Sequence, residues 1–215
     1  MPAVLNYFGI PARGEATRVA LAVAGVDYED KRMSFEEFGA SEFKTVPVYQ
    51  MDGTDYTQST ALLRYAGKLG GQYPECPLKA LKVDEIVMIA EDVFISLFST
   101  MGEKDEAKKV NKQNKRRWNV SSTVPLPPTL MAGKIKDLLK DIASKVAANK
   151  CSAFCVGDSL TIADIQIHAV IATVQAGFLT GIPTTMVEDI CPSLKTLDHA
   201  VMEHPKVKAY YASKA

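Results

Sequence analysis

The sequence predicts an α/β amino-terminal region followed by an all-helical carboxy-terminal region. Through about residue 73, short apolar runs typical of strands alternate with helix-like segments. From residue 81 onward, apolar residues recur at helical spacing. The stretch Tyr73-Pro74-Glu75-Cys76-Pro77 between them has the prolines of a connection. We therefore expect two domains, residues 1–74 and 81–215, joined by a linker over residues 75–80.

The first region is predicted to run strand, helix, strand, helix, strand, strand, helix. In that order, the segments are residues 3–8, 14–24, 26–33, 35–43 and 46–51, the short stretch before Gln58, and the stretch from Ser59 to Gly70. Apolar runs or alternating side chains predict the strands, and helical spacing predicts the helices. Gly25 follows the first helix as a stop signal, and Asp52-Gly53 is typical of a hairpin turn. The order is βαβ, then ββα.

The second region is predicted to contain four amphipathic helices. They cover residues 81–101, 130–148, 162–176 and 194–201. Thr161 and Asp164 have the spacing of a capping box, and Leu160 is placed to pack on Ile165. We interpret this motif as the start of a helix, without a chemical role.

Composition limits the classes of function. The chain has 215 residues, is 47% apolar and carries no formal net charge, so its charge does not favour nucleic acid or an anionic membrane. Its apolar runs fall short of the roughly 20 residues that span a bilayer, and residues 1–3 lack a secretory lead. The four cysteines (Cys76, Cys151, Cys155, Cys191) form no CxxC pair. This pattern fits a reducing compartment, and we expect the cytosol.

Two segments indicate a small acidic ligand. Tyr7 ends the first strand just ahead of a helix, where a hydroxyl can donate to an anion held at the helix start. Gln58-Ser59 likewise stands in a polar turn that leads into a helix. Each segment alone also has a plain interpretation, a tyrosine packed for its ring and an N-cap serine.

Taken together, the motifs resemble the cytosolic glutathione transferases. The resemblance covers nearly the whole chain. Within the family, the sequence is most similar to the sigma class, which includes haematopoietic prostaglandin D synthases and S-crystallins. The resemblance is carried by Tyr7-Phe8, Arg13-Gly14-Glu15, Val46-Pro47, Gln58-Ser59, Arg64-Tyr65 and residues 157–164.

The resemblance implies an α/β thioredoxin-like N-terminal domain, an all-α C-terminal helical bundle and a homodimer. It also implies that glutathione is the co-substrate, with no tightly bound cofactor and no metal. Tyr7 would stabilise the glutathione thiolate, and Arg13 would add positive potential at the sulfur. The thiolate would then attack a small hydrophobic electrophile.

The resemblance further implies the contacts to glutathione. They would come from Tyr7, Phe8, Arg13, Phe38, Lys44, Thr45, Val46, Pro47, Gln58 and Ser59, and from Asp92 of the partner subunit. Pro47 resembles the cis-proline of the thioredoxin fold, although an edge-strand proline is common. The segment that holds Phe38 and Lys44 is about four residues shorter than the family pattern. Asp92, beside Glu91, could instead belong to a solvated helix face.

The electrophile would lie against the helical domain. Its predicted pocket consists of Ile10, Ala12, Phe94, Ile95, Phe98 and Ser99, and core packing explains the aromatic members equally well. Conjugation is the primary hypothesis. Isomerisation with glutathione as cofactor is a second, ranked lower because Ser99 aligns with a tryptophan of the prostaglandin synthases. A non-catalytic crystallin or ligand carrier is a third.

Other patterns favour different classes only weakly. A glutaredoxin-like oxidoreductase would need a cysteine after the first strand, and residues 9–13 contain none. The basic segment 104–117 is interpreted as a solvated face rather than a nucleic-acid site, because acidic residues are interspersed in it. Cys151 and Cys155 show no metal-ligand spacing with His168, and the three histidines are interpreted as structural.

Overall fold

A computed structural model describes residues 2–98, 128–150, 153–179 and 182–214 of the chain. Within 128–132 the backbone alone is described. Ser99, Cys151 and the basic segment 104–117, which the sequence analysis singled out, lie outside the described residues.

A four-stranded mixed sheet forms the centre of the amino-terminal region. The strands are β1 (Ala3–Phe8), β2 (Tyr28–Met33), β3 (Val48–Met51) and β4 (Thr54–Tyr56), in the spatial order β2-β1-β3-β4. β1 pairs parallel with β2, with Tyr7 opposite Arg32. β3 runs antiparallel to both β1 and β4, and the β3–β4 hairpin turns at Asp52-Gly53. The sheet confirms the predicted βαβ and ββα order.

Three helices accompany the sheet: α1 (Arg13–Ala24), α2 (Phe35–Ala40) and α3 (Ser59–Leu69). α1 ends at Gly25, which takes a left-handed φ of 72° that glycine adopts without steric cost. Ser34 caps α2 in a capping box with Glu37. The helix ends before Ser41 and is therefore shorter than predicted. α1 packs between α3 and the helical region, so its first turn lies where the two regions meet.

Helices make up the described part of the carboxy-terminal region. They are α4 (Pro77–Leu97), α5 (Pro128–Ala148), α6 (Ile162–Gln175), α7 (Met186–Ile190), α8 (Pro192–Glu203) and α9 (Pro205–Ala212). α4 begins four residues before the predicted helix, since Pro77 occupies its first turn, where the missing N–H costs no hydrogen bond. Residues 77–80 of the expected linker therefore belong to α4. Among the described helices, none is long and apolar enough to span a membrane.

The start of α6 is a buried capping box, as predicted. The Asp164 carboxylate accepts hydrogen bonds from the backbone N–H of Thr161 (2.7 Å) and from the Thr161 hydroxyl (2.7 Å). It also accepts from the backbone N–H of Cys155 at 2.6 Å, so it ties the preceding loop to the helix. α6 is buried along nearly its whole length and packs on α1, α4 and α8. One continuous apolar core thus runs through both regions.

Candidate active site

A cleft of about 170 Å³ opens where β1 ends and α1 begins. Its polar side chains are Tyr7 and Arg13. Its apolar walls are formed by Phe8, Ile10, Phe35, Val46 and Phe98. The amino-terminal region supplies all of these except Phe98, which directly follows α4. The cleft therefore lies between the two regions and combines a hydroxyl, a cation and aromatic surface.

Tyr7 borders this cleft and is the last-but-one residue of β1, just ahead of the loop to α1. Its side chain is 5% exposed, and burial raises the pKa of its phenol to about 12. The Arg13 charge and the backbone N–H groups of Gly14 and Arg13 act in the opposite direction without overcoming burial. The phenol therefore stays protonated in neutral solution. An oxygen that accepts from these N–H groups keeps its own proton for donation.

Gly14 sets how closely α1 approaches Tyr7. A Cβ atom at this position would lie 2.9 Å from Cε1 of Tyr7 and closer still to Cγ and Cδ1. Any larger residue would overlap the ring. The glycine thus lets the first turn of α1 lie against the tyrosine, where its backbone amides meet the phenol.

Arg13 is fixed by Glu91, a carboxylate whose role no sequence pattern indicated. Its Nε donates to Oε1 of Glu91 at 2.7 Å, and the Ser59 hydroxyl approaches Oε2 of the same side chain at 3.5 Å. Burial raises the pKa of Glu91, and the charge of Arg13 opposes that shift. Glu91 lies on α4, far along the chain from both partners, so only the tertiary fold brings the three together. Its neighbour Asp92, which was predicted to contact the glutathione of the partner subunit, is exposed on α4.

The start of α3 has an unusual backbone. Gln58 precedes the helix with φ 74° and ψ 103°, a conformation that non-glycine residues rarely adopt and that is concentrated at functional sites. Its side chain is exposed and makes no capping hydrogen bond to the first turn of the helix. Unoccupied N–H groups at a helix start favour an anion.

A third segment predicted to contact glutathione comprises residues 44–47, together with Phe38. The Val46–Pro47 peptide bond is cis, in agreement with the prediction, and Val46 lines the cleft. Lys44 and Thr45 are exposed beside it. Phe38 is half-buried and meets Phe8 edge-on, with ring centroids 5.6 Å apart.

The predicted electrophile pocket is assembled in part. Ile10 and Phe98 line the cleft, whereas Ala12 and Phe94 have no accessible surface and lie behind its wall. Phe94 stacks on Phe98, with Arg13 over both rings. Ile95 faces outward from α4. The difference arises because helical spacing alone does not tell which side of α4 meets the sheet domain.

Phe35 also lines the cleft and was not among the predicted site residues. It is 60% exposed, and its ring centroid is 4.4 Å from that of Phe8. An aromatic residue left exposed next to a capping serine is the signal that could have identified it.

Elsewhere, the described residues contain no group of three potential ligands that could hold a metal ion. His168 is enclosed between Asp198 and Tyr211, at 2.6 Å and 2.7 Å. This arrangement contains no nucleophile and agrees with a structural histidine.

Comparison with known proteins gives a consistent result. Residues 3–68 match the family model "Glutathione S-transferase, N-terminal domain", and residues 91–214 match "Glutathione S-transferase, C-terminal domain". The S-crystallin SL11 of Nototodarus sloanii is 30% identical, over 96% of this chain and 93% of that protein. Glutathione S-transferase 2 of Manduca sexta is 27% identical, over 98% and 95%.

A solved structure shares the fold. The prostaglandin synthase D of Nilaparvata lugens superposes with a TM-score of 0.78, covering 100% of this chain and 99% of that one at 22% identity. At that identity the likeness bears on architecture alone. The architecture agrees with the sheet and helices described above.

Proposed function

The chain belongs to the glutathione S-transferase family and is a glutathione transferase, and we propose that Tyr7 holds the thiol of bound glutathione as a thiolate for attack on a small electrophile. The observation that carries this proposal is the protonated, buried Tyr7 phenol that borders the cleft beside Arg13. Both groups favour a negative charge within their reach.

The chemistry follows from the thiol. A free thiol has a pKa of about 8.5, so near neutral pH most of it is the weakly nucleophilic protonated form. A hydrogen bond from Tyr7 to the sulfur, with Arg13 nearby, stabilises the thiolate by about 1.4 kcal/mol for each pKa unit of depression. The sulfur then forms a bond to an electrophilic carbon. In substitution a leaving group departs with the bonding electrons, and in addition a carbanion takes up a proton.

We assign the rest of glutathione to the neighbouring segments. The uncapped start of α3 at Gln58 and Ser59 suits the γ-glutamyl carboxylate. The backbone of Val46 suits the cysteinyl backbone, in the manner of an added strand. Phe38, Lys44 and Thr45 remain the candidates for the glycyl end.

We further propose a homodimer that uses α4. Leu81, Met88 and Ile95 are exposed apolar side chains seven residues apart, so they follow one side of the helix. Such a stripe is typical of a surface that a partner covers. Asp92 is exposed between Met88 and Ile95, which supports the hypothesis that it reaches the ligand of the partner subunit.

We also propose a cellular location and a cofactor requirement. Cys76, Cys155 and Cys191 are free thiols in the described structure, which fits the predicted cytosolic location. We also propose that glutathione serves as co-substrate and that the protein needs no resident cofactor.

Replacing Tyr7 with phenylalanine tests the central proposal. Y7F should raise the pH at which bound glutathione ionises by about one unit, because one charge-assisted hydrogen bond is lost. Glutathione affinity should change little, since the other contacts persist. Thiolate absorbance, titrated with pH, measures the midpoint. In the wild type, Tyr7 should donate throughout this range, because its own pKa is about 12.

The control is Y73F, which removes a hydroxyl that donates to Asp84 at 2.8 Å. It should leave the midpoint unchanged. An unaltered titration in Y7F would remove Tyr7 from the mechanism. Conjugation of a chloronitrobenzene should be assayed in parallel, since glutathione binding without turnover would favour the carrier hypothesis instead.

A further inference from the structure

Arg18 is a buried cation on α1 that contacts two residues of the cleft, Tyr7 and Phe8. Its side chain has no accessible surface. Its Nε donates to Oδ1 of Asp30 at 2.8 Å, and its NH1 group donates to Oε2 of Glu15 at 3.3 Å. A buried guanidinium is tolerated only when its charge and donors are matched in this way. The position of Arg18 therefore depends on two carboxylates.

Arg18 in turn contacts the segment that carries Tyr7. Its NH2 group donates to the backbone carbonyl of Phe8 at 2.9 Å. Its guanidinium carbon lies 5.5 Å from the centre of the Tyr7 ring. One side chain thus fixes both the end of β1 and one face of the tyrosine ring.

Helix α9 and the residue that follows it complete this charge cluster. The Tyr210 hydroxyl donates to Oε1 of Glu15 at 3.4 Å. The Lys214 ammonium lies 3.6 Å from Oδ2 of Asp30 and 5.7 Å from the Tyr210 ring. Both carboxylates that hold Arg18 are therefore held themselves from the same segment.

Other groups secure α9 or add charge to the cluster. Tyr211 shares a 2.7 Å hydrogen bond with His168, and Lys206 donates to the carbonyl of Val23 at 2.6 Å. Arg32, on β2, donates to Asp30 at 2.9 Å. Tyr28 also belongs to the surroundings of Asp30: burial and the Asp30 charge raise the pKa of the Tyr28 phenol.

We propose that residues 205–214, α9 with Lys214, position Tyr7 for catalysis through Arg18. Tyr210 and Lys214 fix the two carboxylates, and the carboxylates fix Arg18. Arg18 in turn fixes the ring of Tyr7 and the backbone of the next residue, Phe8. Arg18, Tyr210 and Lys214 are positioning residues, since none of them lines the cleft. This inference rests on the proposed function of Tyr7 as the donor to the thiolate.

The test uses Y210F, K214M and the double variant in the full chain. Each single change should move the ionisation midpoint of bound glutathione upward by about a quarter of a pH unit, and the double variant by about half a unit. The value of kcat for conjugation at neutral pH should fall about two- to threefold in the double variant, in proportion to the lost thiolate. The KM for glutathione should stay unchanged. K214M alters an exposed side chain, so it keeps the test possible even if Y210F folds poorly.

The matched control is K208M on the same helix. Lys208 pairs with Glu203 at 3.1 Å, and both side chains are exposed. This variant should leave the midpoint and kcat unchanged.

Y7F is titrated in the same series to separate the two proposals. If Y7F shifts the midpoint and Y210F/K214M leaves it at the wild-type value, the positioning role of residues 205–214 is overturned while the role of Tyr7 stands. If Y7F itself causes no shift, both proposals fail. A shift in both Y7F and Y210F/K214M, with none in K208M, supports the inference.

Discussion

At the scale of single residues, the position of Tyr7 depends on a neighbour that has no side chain. Gly14 has no positive φ that demands glycine, so its role is the space it leaves for the Tyr7 ring. The same close approach brings the backbone amides of α1 to the phenol. The site therefore relies on a missing methyl group as much as on the hydroxyl.

Replacing Gly14 with alanine should displace Tyr7 or push α1 away from the sheet. We expect G14A to lower conjugation by about tenfold or more and to cost roughly 1–3 kcal/mol of unfolding free energy, since overlap in a packed core forces rearrangement. Initial rates and chemical denaturation measure the two effects. G39A, where a Cβ meets nothing within 4 Å, is the control and should keep wild-type rates. Wild-type behaviour of G14A would show that the ring is not tightly packed there.

The residues that the sequence could identify are those with a local signature. Tyr7 stands near the end of a strand, Pro47 directly before a strand and Gln58 directly before a helix, so their neighbours in sequence indicate a site. Glu91 and Arg18 give no such signal. Glu91 meets Arg13 across 78 positions of sequence. Arg18 reads as one charge in an apolar helix until the fold brings Asp30 to it and Tyr210 to its partner Glu15.

At the scale of elements, two helices begin with the same motif in different surroundings. Glu37 closes the capping box of α2 at the surface, accepting from the backbone N–H of Ser34 at 2.6 Å. Asp164 closes that of α6 with no accessible surface and binds the Cys155 amide as well. Burial makes each unsatisfied donor costly, so the two acidic residues differ in importance.

We expect D164A to be strongly destabilising and E37A to be nearly neutral. Removing Asp164 leaves the backbone N–H groups of Thr161 and Cys155 without their acceptor inside the core, which should cost about 2–5 kcal/mol. At Glu37, water replaces the lost carboxylate. Thermal and urea unfolding of both variants give the comparison. Equal losses in D164A and E37A would contradict the importance of burial.

The strength of the local sequence signal explains which helices could be predicted. α6 has a complete start signal and a long apolar pattern, and its structure agrees with the prediction. α7 and α9 were missed, since five and eight residues are too short for a periodic pattern to emerge. The start of α4 was misplaced because Pro77 was interpreted as part of a linker, whereas proline is also favoured in a first helical turn.

At the scale of the whole molecule, the architecture followed from the sequence, whereas the way the two regions meet at the cleft did not. Alternation of strand and helix patterns, then helices alone, was enough for the two regions. Phe98, which directly follows α4, lines the cleft together with Phe8 and Phe35, and no local pattern of the sequence specifies that these residues share one cleft. The proposed association of two subunits involves the exposed apolar side of α4.

Charging the middle of that side should separate the subunits. Met88 is 50% exposed between Leu81 and Ile95, and a glutamate there would place a charge within the proposed interface. We expect wild type to sediment as a dimer and M88E as a monomer. If Asp92 reaches the partner's ligand, M88E should also bind glutathione about tenfold more weakly.

Two further variants make that experiment specific. D92A should weaken glutathione binding and leave the dimer intact, since it removes the carboxylate without charging the apolar stripe. F178E alters an apolar side chain with 40% exposure outside α4 and should stay dimeric. A monomeric wild type, or M88E that remains a dimer, would contradict the α4 interface. Full affinity in D92A would return Asp92 to the solvated face, with Glu91 as the acidic residue of the site because it already holds Arg13 at 2.7 Å.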